Sequence, residues 1–322
     1  DDLTLTRGTA AGNFQVVGSW GFAAYGGTRT VNLVVTSSVL SLDPTAAGGT
    51  GELLLSAPDA DGKIIVASSS ANAILSVGGT AGLLAGIRVF NGAADVDAEI
   101  SAPLTVSGGN NTAKGGIIKV GAGVLQLSGN NTYNGPTIVA EGGLIVTGSN
   151  PNSVLHEVWS GAWLGGTGMI SSLEIHPGAK LAPGTSIGTL STQDNGNGYF
   201  LWNGEASGSE PGQLQFELST TDNTSDRLNL GTSEFLKGTG SVFKFDFMGG
   251  GKAGEAYTLV QFGSTTFADA SEFSYENLGA GLSGAFTLNS NDLVFSVIPE
   301  PGTVGLALAG LALMALRRRI RG

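Results

Sequence analysis

The 322-residue sequence has no cysteine, only two histidines, and few charged or aromatic side chains. Without cysteine the chain forms no disulfides and offers no thiolate ligands to a metal. Charged residues make up 13% of the chain and leave a net charge of -11, which opposes binding to nucleic acid. Such a chain depends on backbone pairing and packing for its stability.

Glycine, in contrast, occupies 53 positions, and it accompanies a short apolar pattern that recurs along the first two thirds of the chain. The pattern is a leucine, any residue, an aliphatic residue and then small residues. It starts at Leu33, Leu53, Leu75, Leu104, Leu125, Leu144 and Leu173. Its period-two alternation indicates strands, and the Gly, Asn and Ser clusters between copies indicate turns. A spacing of about 20 residues predicts an all-β solenoid of stacked parallel strands, which is a β-helix.

The alternative fold is a Greek-key sandwich, which would show hairpin turns about every 8–12 residues and no fixed period. In a β-helix, alternate residues of each strand face a common core. We therefore expect Gln126 to face solvent, while six apolar residues point inward and stack on one another. These are Leu104, Val106, Leu125, Leu127, Leu144 and Val146.

Composition divides the chain into four regions. Residues 1–28 include an aromatic stretch and are expected to cap the N-terminal end of the solenoid. Residues 29–198 carry the repeats of about 20 residues and are expected to form the β-helix. Eleven of the fourteen phenylalanines lie in residues 199–298, for which we expect a Phe-rich β cap or a small sandwich. Residues 299–322 form a separate segment with a C-terminal hydrophobic helix.

The last 25 residues, IPEPGTVGLALAGLALMALRRRIRG, combine three features in order. Pro299, Glu300 and Pro301 come first, and the uncharged stretch 302–316 follows. The chain then ends in an arginine cluster made of Arg317, Arg318, Arg319 and Arg321. As a helix the apolar stretch would span about 22 Å, less than the roughly 30 Å of a bilayer core, but arginine side chains reach the headgroups. We expect a transmembrane helix with residues 1–298 outside the cytoplasm; a basic amphipathic tail is the alternative.

This order of motif, apolar helix and arginine cluster resembles the PEP-CTERM sorting signal of exported bacterial proteins. The resemblance implies that an exosortase recognises and processes the chain near Pro299, Glu300 and Pro301. It also implies transient anchoring in the inner membrane and delivery to the cell surface or extracellular matrix of a Gram-negative-type bacterium. No signal peptide is visible at Asp1, and we expect that one has been removed.

A second resemblance lies within the repeats. The stretch 116–148, GIIKVGAGVLQLSGNNTYNGPTIVAEGGLIVTG, resembles the autotransporter-associated β-strand repeat of secreted passenger domains. Residues 164–190 are similar to the passenger segment that often follows this repeat. Together these resemblances imply a right-handed parallel β-helix. We expect the sorting tail to take the place of the membrane β-barrel of an autotransporter.

One motif suggests catalysis. Residues 184–188 read GTSIG and satisfy the G-x-S-x-G pattern of serine hydrolases, with Ser186 as the nucleophile. Both histidines, His156 and His176, precede Ser186, whereas in that class of hydrolase the histidine follows the serine. No helical pattern follows the motif either. We therefore interpret it as a turn between strands and predict no catalytic residues.

The sequence offers no recognisable metal or cofactor site. Neither histidine has a carboxylate at helical spacing, and we interpret both as surface residues. DADGK (59–63) and DNGNG (194–198) lack the ligand spacing of a calcium loop. No phosphate-binding or dinucleotide-binding glycine motif is present.

The sequence thus predicts an exported, non-catalytic β-helix protein with a role in biofilm, adhesion, or coat and filament structure. Exopolysaccharide is an expected partner, and the open edge of a strand at residues 2–6 predicts self-association into fibres. The alternative is a β-helical polysaccharide-binding or polysaccharide-degrading enzyme. Such enzymes cluster charged side chains on one face, but charges are sparse in residues 104–190. They are Lys114, Lys119, Glu141, Glu157, Glu174 and Lys180.

Overall fold

The computed structural model describes residues 3–6, 19–34, 40–42, 51–68, 75–77, 84–106, 115–193, 198–204 and 210–300. These residues form thirty β-strands and one short 3-10 helix, η1 (Ala270–Glu272). The strands assemble into three sheets that run side by side along the molecule.

Sheet 1 contains eleven strands. In spatial order they are β1 (Leu3–Thr6), β3 (Arg29–Val34), β6 (Ile64–Ser68), β9 (Ala98–Ile100), β12 (Val124–Leu127), β14 (Gly143–Val146), β16 (Trp163–Gly166), β19 (Lys180–Pro183), β22 (Gln213–Gln215), β25 (Phe243–Asp246) and β28 (Phe273–Glu276).

Sheet 2 contains ten strands. In spatial order they are β2 (Trp20–Phe22), β5 (Leu53–Leu55), β8 (Leu84–Val89), β11 (Gly116–Val120), β13 (Thr137–Val139), β15 (His156–Val158), β18 (Leu173–Ile175), β21 (Tyr199–Trp202), β24 (Glu234–Lys237) and β27 (Ser264–Thr265).

Sheet 3 has two parts. Single bridges Asn130–Ser149 and Ser149–Met169 extend the second part towards the first, and the Thr132 N–H donates to the Leu104 carbonyl of the first part (2.8 Å). The first part contains β10 (Leu104–Thr105), β7 (Leu75–Ser76) and β4 (Leu40–Ser41). The second contains β17 (Met169–Ile170), β20 (Thr189–Thr192), β23 (Arg227–Asn229), β26 (Ala256–Gln261), β30 (Asp292–Pro299) and β29 (Leu282–Leu288).

The chain winds through these sheets as a three-sided parallel β-helix. Each coil passes through sheet 2, sheet 1 and sheet 3 in turn, as in the succession β15, β16, β17 followed by β18, β19, β20. The strand pairs of sheets 1 and 2 are parallel, so each strand lies above the equivalent strand of the preceding coil. This architecture confirms the β-helix predicted from the repeats.

The coils differ in length more than the predicted spacing suggests. Leu125 pairs with Leu144, 19 residues later, but Ile64 pairs with Ala98 after 34 residues and Leu181 with Leu214 after 33. Short coils are therefore confined to the middle of the chain. Each of these two long coils carries one strand in each of the three sheets, for example β6, β7 and β8. The leucine pattern therefore recurs within one coil as well as between coils.

The core follows the predicted alternation, with one correction to the stacking. The side chains of Leu125, Leu127, Leu144 and Val146 are buried as expected. Leu104 is also buried, but it belongs to sheet 3 and does not lie against Leu125. The strand next to Leu125 in the preceding coil is β9, which contributes Ala98. A second departure is Val106, which is only half-buried.

Sheets 1 and 2 continue across residue 199 without a break. Strand β18 pairs with β21, and β19 pairs with β22, in parallel. Strands β21 to β28 therefore add further coils of the same solenoid, not the sheets of a separate sandwich. Phenylalanine and tryptophan rings join leucine and valine inside these coils. Phe200 and Phe235, for example, stack with centroids 5.5 Å apart.

A hairpin closes the C-terminal end of the solenoid. Strand β30 pairs antiparallel with both β26 and β29, in contrast to the parallel coils before it. Phe286 of β29 packs on Phe245, Phe273 and Tyr275, with ring centroids 5.2, 5.7 and 6.2 Å away. The hairpin thus covers the aromatic core, which is the role expected of a solenoid cap.

The ends of the chain are described only in part. Strand β1 pairs in parallel with β3, and on its other side it pairs with no strand of the described residues. Strand β30 extends to Pro299, and the Glu300 N–H donates to the Gly281 carbonyl (2.9 Å). Pro301, the arginine cluster and the expected C-terminal helix lie outside the described residues. Within them, no helix has the length and apolar character needed to cross a membrane.

Candidate functional site

An open groove of about 730 Å³ crosses the outer face of sheet 1. Its floor is formed by the outward side chains of adjacent strands in the middle of the sheet. From β12 to β22 these are Gln126, Ile145, Trp163, Lys180, Ala182 and Gln215. Because strand residues alternate between faces, each of them has an inward neighbour in the core. We call this groove the sheet 1 groove.

The walls of the sheet 1 groove come from loops at the two ends of the strands. Asp95 and Val96 precede β9, on one side. On the other side, residues 184–186 follow β19 and Glu217 follows β22. Met248, which follows β25, also lines this side.

The indole of Trp163 packs against a glycine of the neighbouring strand. Its strand partner is Gly143, and a Cβ added at position 143 would lie only 2.2 Å from Trp163 Cε2 and 2.3 Å from Cζ2. Gly165 lies near the same six-membered ring, since its Cβ would lie 3.5 Å from Cζ3, at an ordinary contact distance. The absence of a side chain at position 143 lets the indole pack directly on the backbone of sheet 1.

A buried carboxylate supports the GTSIG turn behind the groove. Asp226 is 3% exposed and accepts hydrogen bonds from the Gly188 N–H (2.9 Å) and the Glu217 N–H (2.7 Å). Burial raises the pKa of Asp226 to about 7, although the two N–H donors favour the ionised form. Ser186 lies in the segment between β19 and β20 that Asp226 supports. The structure therefore agrees with the interpretation of GTSIG as a turn.

Both histidines belong to sheet 2 or its edge, and neither faces the sheet 1 groove. His176 follows β18, with its Nε2 3.8 Å from the carboxylates of Glu157 and Glu174. His156 lies in β15 between Thr137 and Leu173 of the adjacent strands, and its Nδ1 lies 3.2 Å from Ser171 Oγ.

The surface position expected for His156 is wrong, because its side chain is 1% exposed. Burial lowers its pKa to about 3. In the parts of the chain that the structure describes, no group of three His, Asp or Glu side chains is arranged to hold a metal.

The pH dependence of stability should report the burial of His156. The folded-state pKa is about 3, below the ordinary 6.5, so the unfolded chain takes up a proton first as the pH falls. The contribution of His156 to stability should therefore decrease from pH 6.5 towards pH 3, by up to about 1.4 kcal/mol per unit. Asp226, whose folded-state pKa of about 7 lies above its ordinary 3.8, contributes in the opposite direction over much of this range, so comparison with a variant is needed to isolate the histidine. In urea unfolding, His156→Gln should therefore gain stability relative to the wild type as the pH falls. His176→Gln, the control, should follow the wild type; a pH-independent difference between His156→Gln and the wild type would contradict the assignment.

Lys119 is a buried charge that the sequence reasoning did not separate from surface lysines. Its Nζ donates to the carbonyls of Gly121 (2.5 Å) and Glu141 (2.7 Å), in the turns of two adjacent coils. Burial lowers its pKa to about 8. A lysine near the end of a strand, shortly before the G-x-G of residues 121–123, was the sequence signal that could have indicated its burial. Stacked glycine turns leave carbonyl groups that a buried lysine can bind.

The coils around Lys119 match a known family. Residues 117–146, which contain most of β11 and all of β12, β13 and β14, match the passenger-associated-transport-repeat family. The chain carries a passenger-associated-transport repeat. This repeat corresponds to about one and a half of the short coils, since Ile117 pairs with Thr137 of the next coil. Residues 297–321 match the PEP-CTERM protein-sorting motif.

Two curated proteins resemble parts of the chain. A 76-residue segment, 24% of the chain, is 42% identical to the extracellular serine protease of Serratia marcescens and covers 7% of that protein. A 58-residue segment, 16% of the chain, is 43% identical to the Neisserial autotransporter lipoprotein NalP of Neisseria meningitidis serogroup B and covers 5% of it. The chain thus matches only a small fraction of the length of these relatives.

The passenger-associated-transport repeat and the sorting motif agree in what they indicate. Both are features of exported proteins, and together they indicate an exported, cell-surface protein of a Gram-negative bacterium. The sorting motif implies processing by an exosortase. Both resemblances predicted from the sequence are therefore confirmed.

Proposed function

We propose that the protein is a non-catalytic β-helix held at the cell surface or in the extracellular matrix, where it contributes to adhesion or biofilm structure. The observation that carries the proposal is the continuity of sheets 1 and 2 from the first coil to the C-terminal hairpin. Such a body is a rigid spacer, because each coil packs only on its neighbours and repeats their geometry.

The surroundings of Ser186 support a structural role over hydrolysis. Asp226 is the buried carboxylate nearest its turn in the described fold, and both of its oxygens are bound to backbone N–H groups. A carboxylate held in this way orients turns. In a catalytic triad the carboxylate would instead orient a histidine beside the serine, but His156 and His176 lie on another sheet. The matches cover only 7% and 5% of the two relatives, so they carry no activity over to this chain.

The position of the sorting motif supports display at a membrane. Ile298 is 53% exposed, and Pro299 and Glu300 follow it at the exposed end of the C-terminal hairpin. These exposed residues belong to the matched sorting motif, so a membrane enzyme can reach this part of it without unfolding a coil. The hairpin also covers one end of the solenoid. The proposal is therefore confined to single solenoids and does not extend to head-to-tail fibres.

Deletion of residues 301–322 tests this proposal. The truncated protein should keep the far-ultraviolet circular dichroism and melting temperature of the whole chain, because β30 ends before the deletion. In the native host, immunoblots of cell fractions should show that it is lost from the cell surface. A control carrying Glu210→Gln, a single charge change on the body, should remain surface-bound. Undiminished surface retention of the truncated protein, or a large fall in its melting temperature, would contradict the proposal.

A further inference from the structure

We propose that the sheet 1 groove binds an uncharged polysaccharide, with one sugar ring stacked on the indole of Trp163. This site goes beyond the proposed function, which would stand even if the groove bound nothing. The argument rests on the placement of the tryptophan, the polar side chains beside it and the charges around it.

The indole of Trp163 is placed as a stacking surface. One side of the ring system packs on Gly143, and the half-buried side chain lines the groove. Because position 143 has no side chain, the indole lies against the backbone of β14. Stacking on an aromatic face suits the C–H face of a sugar ring, which is apolar while its edges carry hydroxyl groups.

Polar groups lie within the same groove, where they can meet those hydroxyl groups. The Gln126 Nε2 donates to Thr147 Oγ1 (3.0 Å), which leaves the amide oxygen of Gln126 as an acceptor. Gln215 lies at the opposite end of the floor, with its Nε2 donating to Asp246 (3.2 Å). Amides held by a neighbour present their remaining groups in a fixed direction, which gives specificity at a small entropic cost.

The dimensions of the groove fit a chain of sugars better than a single one. Its floor runs from Gln126 on β12 to Gln215 on β22, across five adjacent strands of sheet 1. At about 4.8 Å between strands, this is a length of about 19 Å. The groove is open along its length, so a polymer can enter sideways and continue beyond both ends.

The charges of the groove favour an uncharged polymer. Asp95 and Glu217 stand on opposite walls, and Lys180 is the one cationic side chain among the lining residues that the structure describes. The chain as a whole carries a net charge of -11. A uronic acid polymer would meet repulsion from the walls and from the whole protein, whereas a neutral glucan or galactomannan would not.

Affinity electrophoresis of the whole protein tests this site. Native gels containing hydroxyethylcellulose, dextran or galactomannan should retard the wild type in at least one case. Trp163→Ala should weaken the retardation at least tenfold in apparent Kd, and Trp163→Phe should retain part of it. Trp159→Ala is the matched control, because Trp159 is a 40% exposed tryptophan whose Nε1 donates to Glu157 and which does not line the groove.

Three results would overturn the proposal. The first is that none of the three neutral polymers retards the protein. The second is that a further gel containing alginate, a uronic acid polymer, is the only one that retards it. The third is that Trp159→Ala and Trp163→Ala weaken the retardation equally. Circular dichroism and melting of each variant show whether a loss of binding is a loss of fold. If Trp163→Ala does not fold, Gln126→Ala provides the test, because it alters the floor of the groove without removing an aromatic ring and should still weaken polysaccharide binding severalfold. Surface retention of Trp163→Ala should be normal, so a failure of the binding site is distinguishable from a failure of the proposed function.

Discussion

Leu125→Asp should unfold the coils around β12, whereas Gln126→Asp should leave the protein folded. Leu125 is fully buried, and its strand pairs with β9 on one side and β14 on the other. Removal of a buried leucine side chain alone costs about 2–5 kcal/mol, and a carboxylate in its place adds the cost of burying a charge. The expected loss therefore exceeds about 5 kcal/mol, which is comparable to the whole stability of many domains.

Gln126 is the matched control because it is the next residue of the same strand and faces the opposite side. It lies in the sheet 1 groove, and its replacement loses one hydrogen bond to Thr147. Such a loss costs about 1 kcal/mol. Urea unfolding and limited proteolysis of the two variants provide the measurement. Equal tolerance of both substitutions would contradict the inward orientation of Leu125.

Trp202→Ala should have the second largest effect, and it should act mainly on the C-terminal coils. The Trp202 side chain is fully buried, and its Nε1 donates to the Gly212 carbonyl (2.7 Å). Six phenylalanine rings lie with centroids 5.3–6.4 Å from its indole. They are Phe200, Phe235, Phe243, Phe245, Phe267 and Phe273. Loss of such a side chain costs about 3–5 kcal/mol.

Hydrogen exchange with mass spectrometry should locate this effect. Because coils contact only their neighbours, residues 199–298 should lose protection while residues 116–183 retain most of theirs. Trp159→Ala, at an exposed position, should leave both regions unchanged. A uniform loss of protection along the chain would mean that the solenoid unfolds as one cooperative unit and that the aromatic coils have no separate stability.

The alternation within each strand was readable from the sequence, and the assignment of strands to sheets was not. Leu125 and Leu144 show the same pattern and do lie in the same sheet, as expected. Leu53 and Leu104 show that pattern too, but they belong to sheets 2 and 3. Alternation specifies which side of a strand is apolar, while the corner that follows decides which sheet the strand joins. Corners of different length carry no such periodic signal.

The change of composition near residue 199 is not accompanied by a change in strand pairing, for a related reason. A change from leucine to phenylalanine alters what fills the core but not how the strands pair, since both types alternate equally well with polar residues. Val158 of the leucine-rich coils and Phe235 of the aromatic coils both point inward from sheet 2. The hairpin that ends the solenoid was anticipated only as a cap of unknown form.

The sheet 1 groove depends on residues that are far apart in the sequence. Nothing in the sequence distinguishes Trp163 from the other tryptophans until its strand partner is known to be Gly143, 20 positions earlier. The burial of His156 was missed for the same reason, because residues 155–158, LHEV, are compatible with either direction of the histidine side chain. In both cases the missing information was the register between coils, which a single repeat does not contain.

Because the coils differ in length, the height that one residue adds along the axis of the solenoid differs between coils. Every coil raises the stack by the same strand spacing, about 4.8 Å, whatever its length. The 19-residue coil from Leu125 to Leu144 therefore gains about 0.25 Å of height per residue, and the 34-residue coil from Ile64 to Ala98 gains about 0.14 Å. Some of the extra residues of the 34-residue coil form β7, a strand of sheet 3 that adds no height. Duplication of one short coil would lengthen the solenoid by a single strand spacing, so the number of coils, not the number of residues, sets its length.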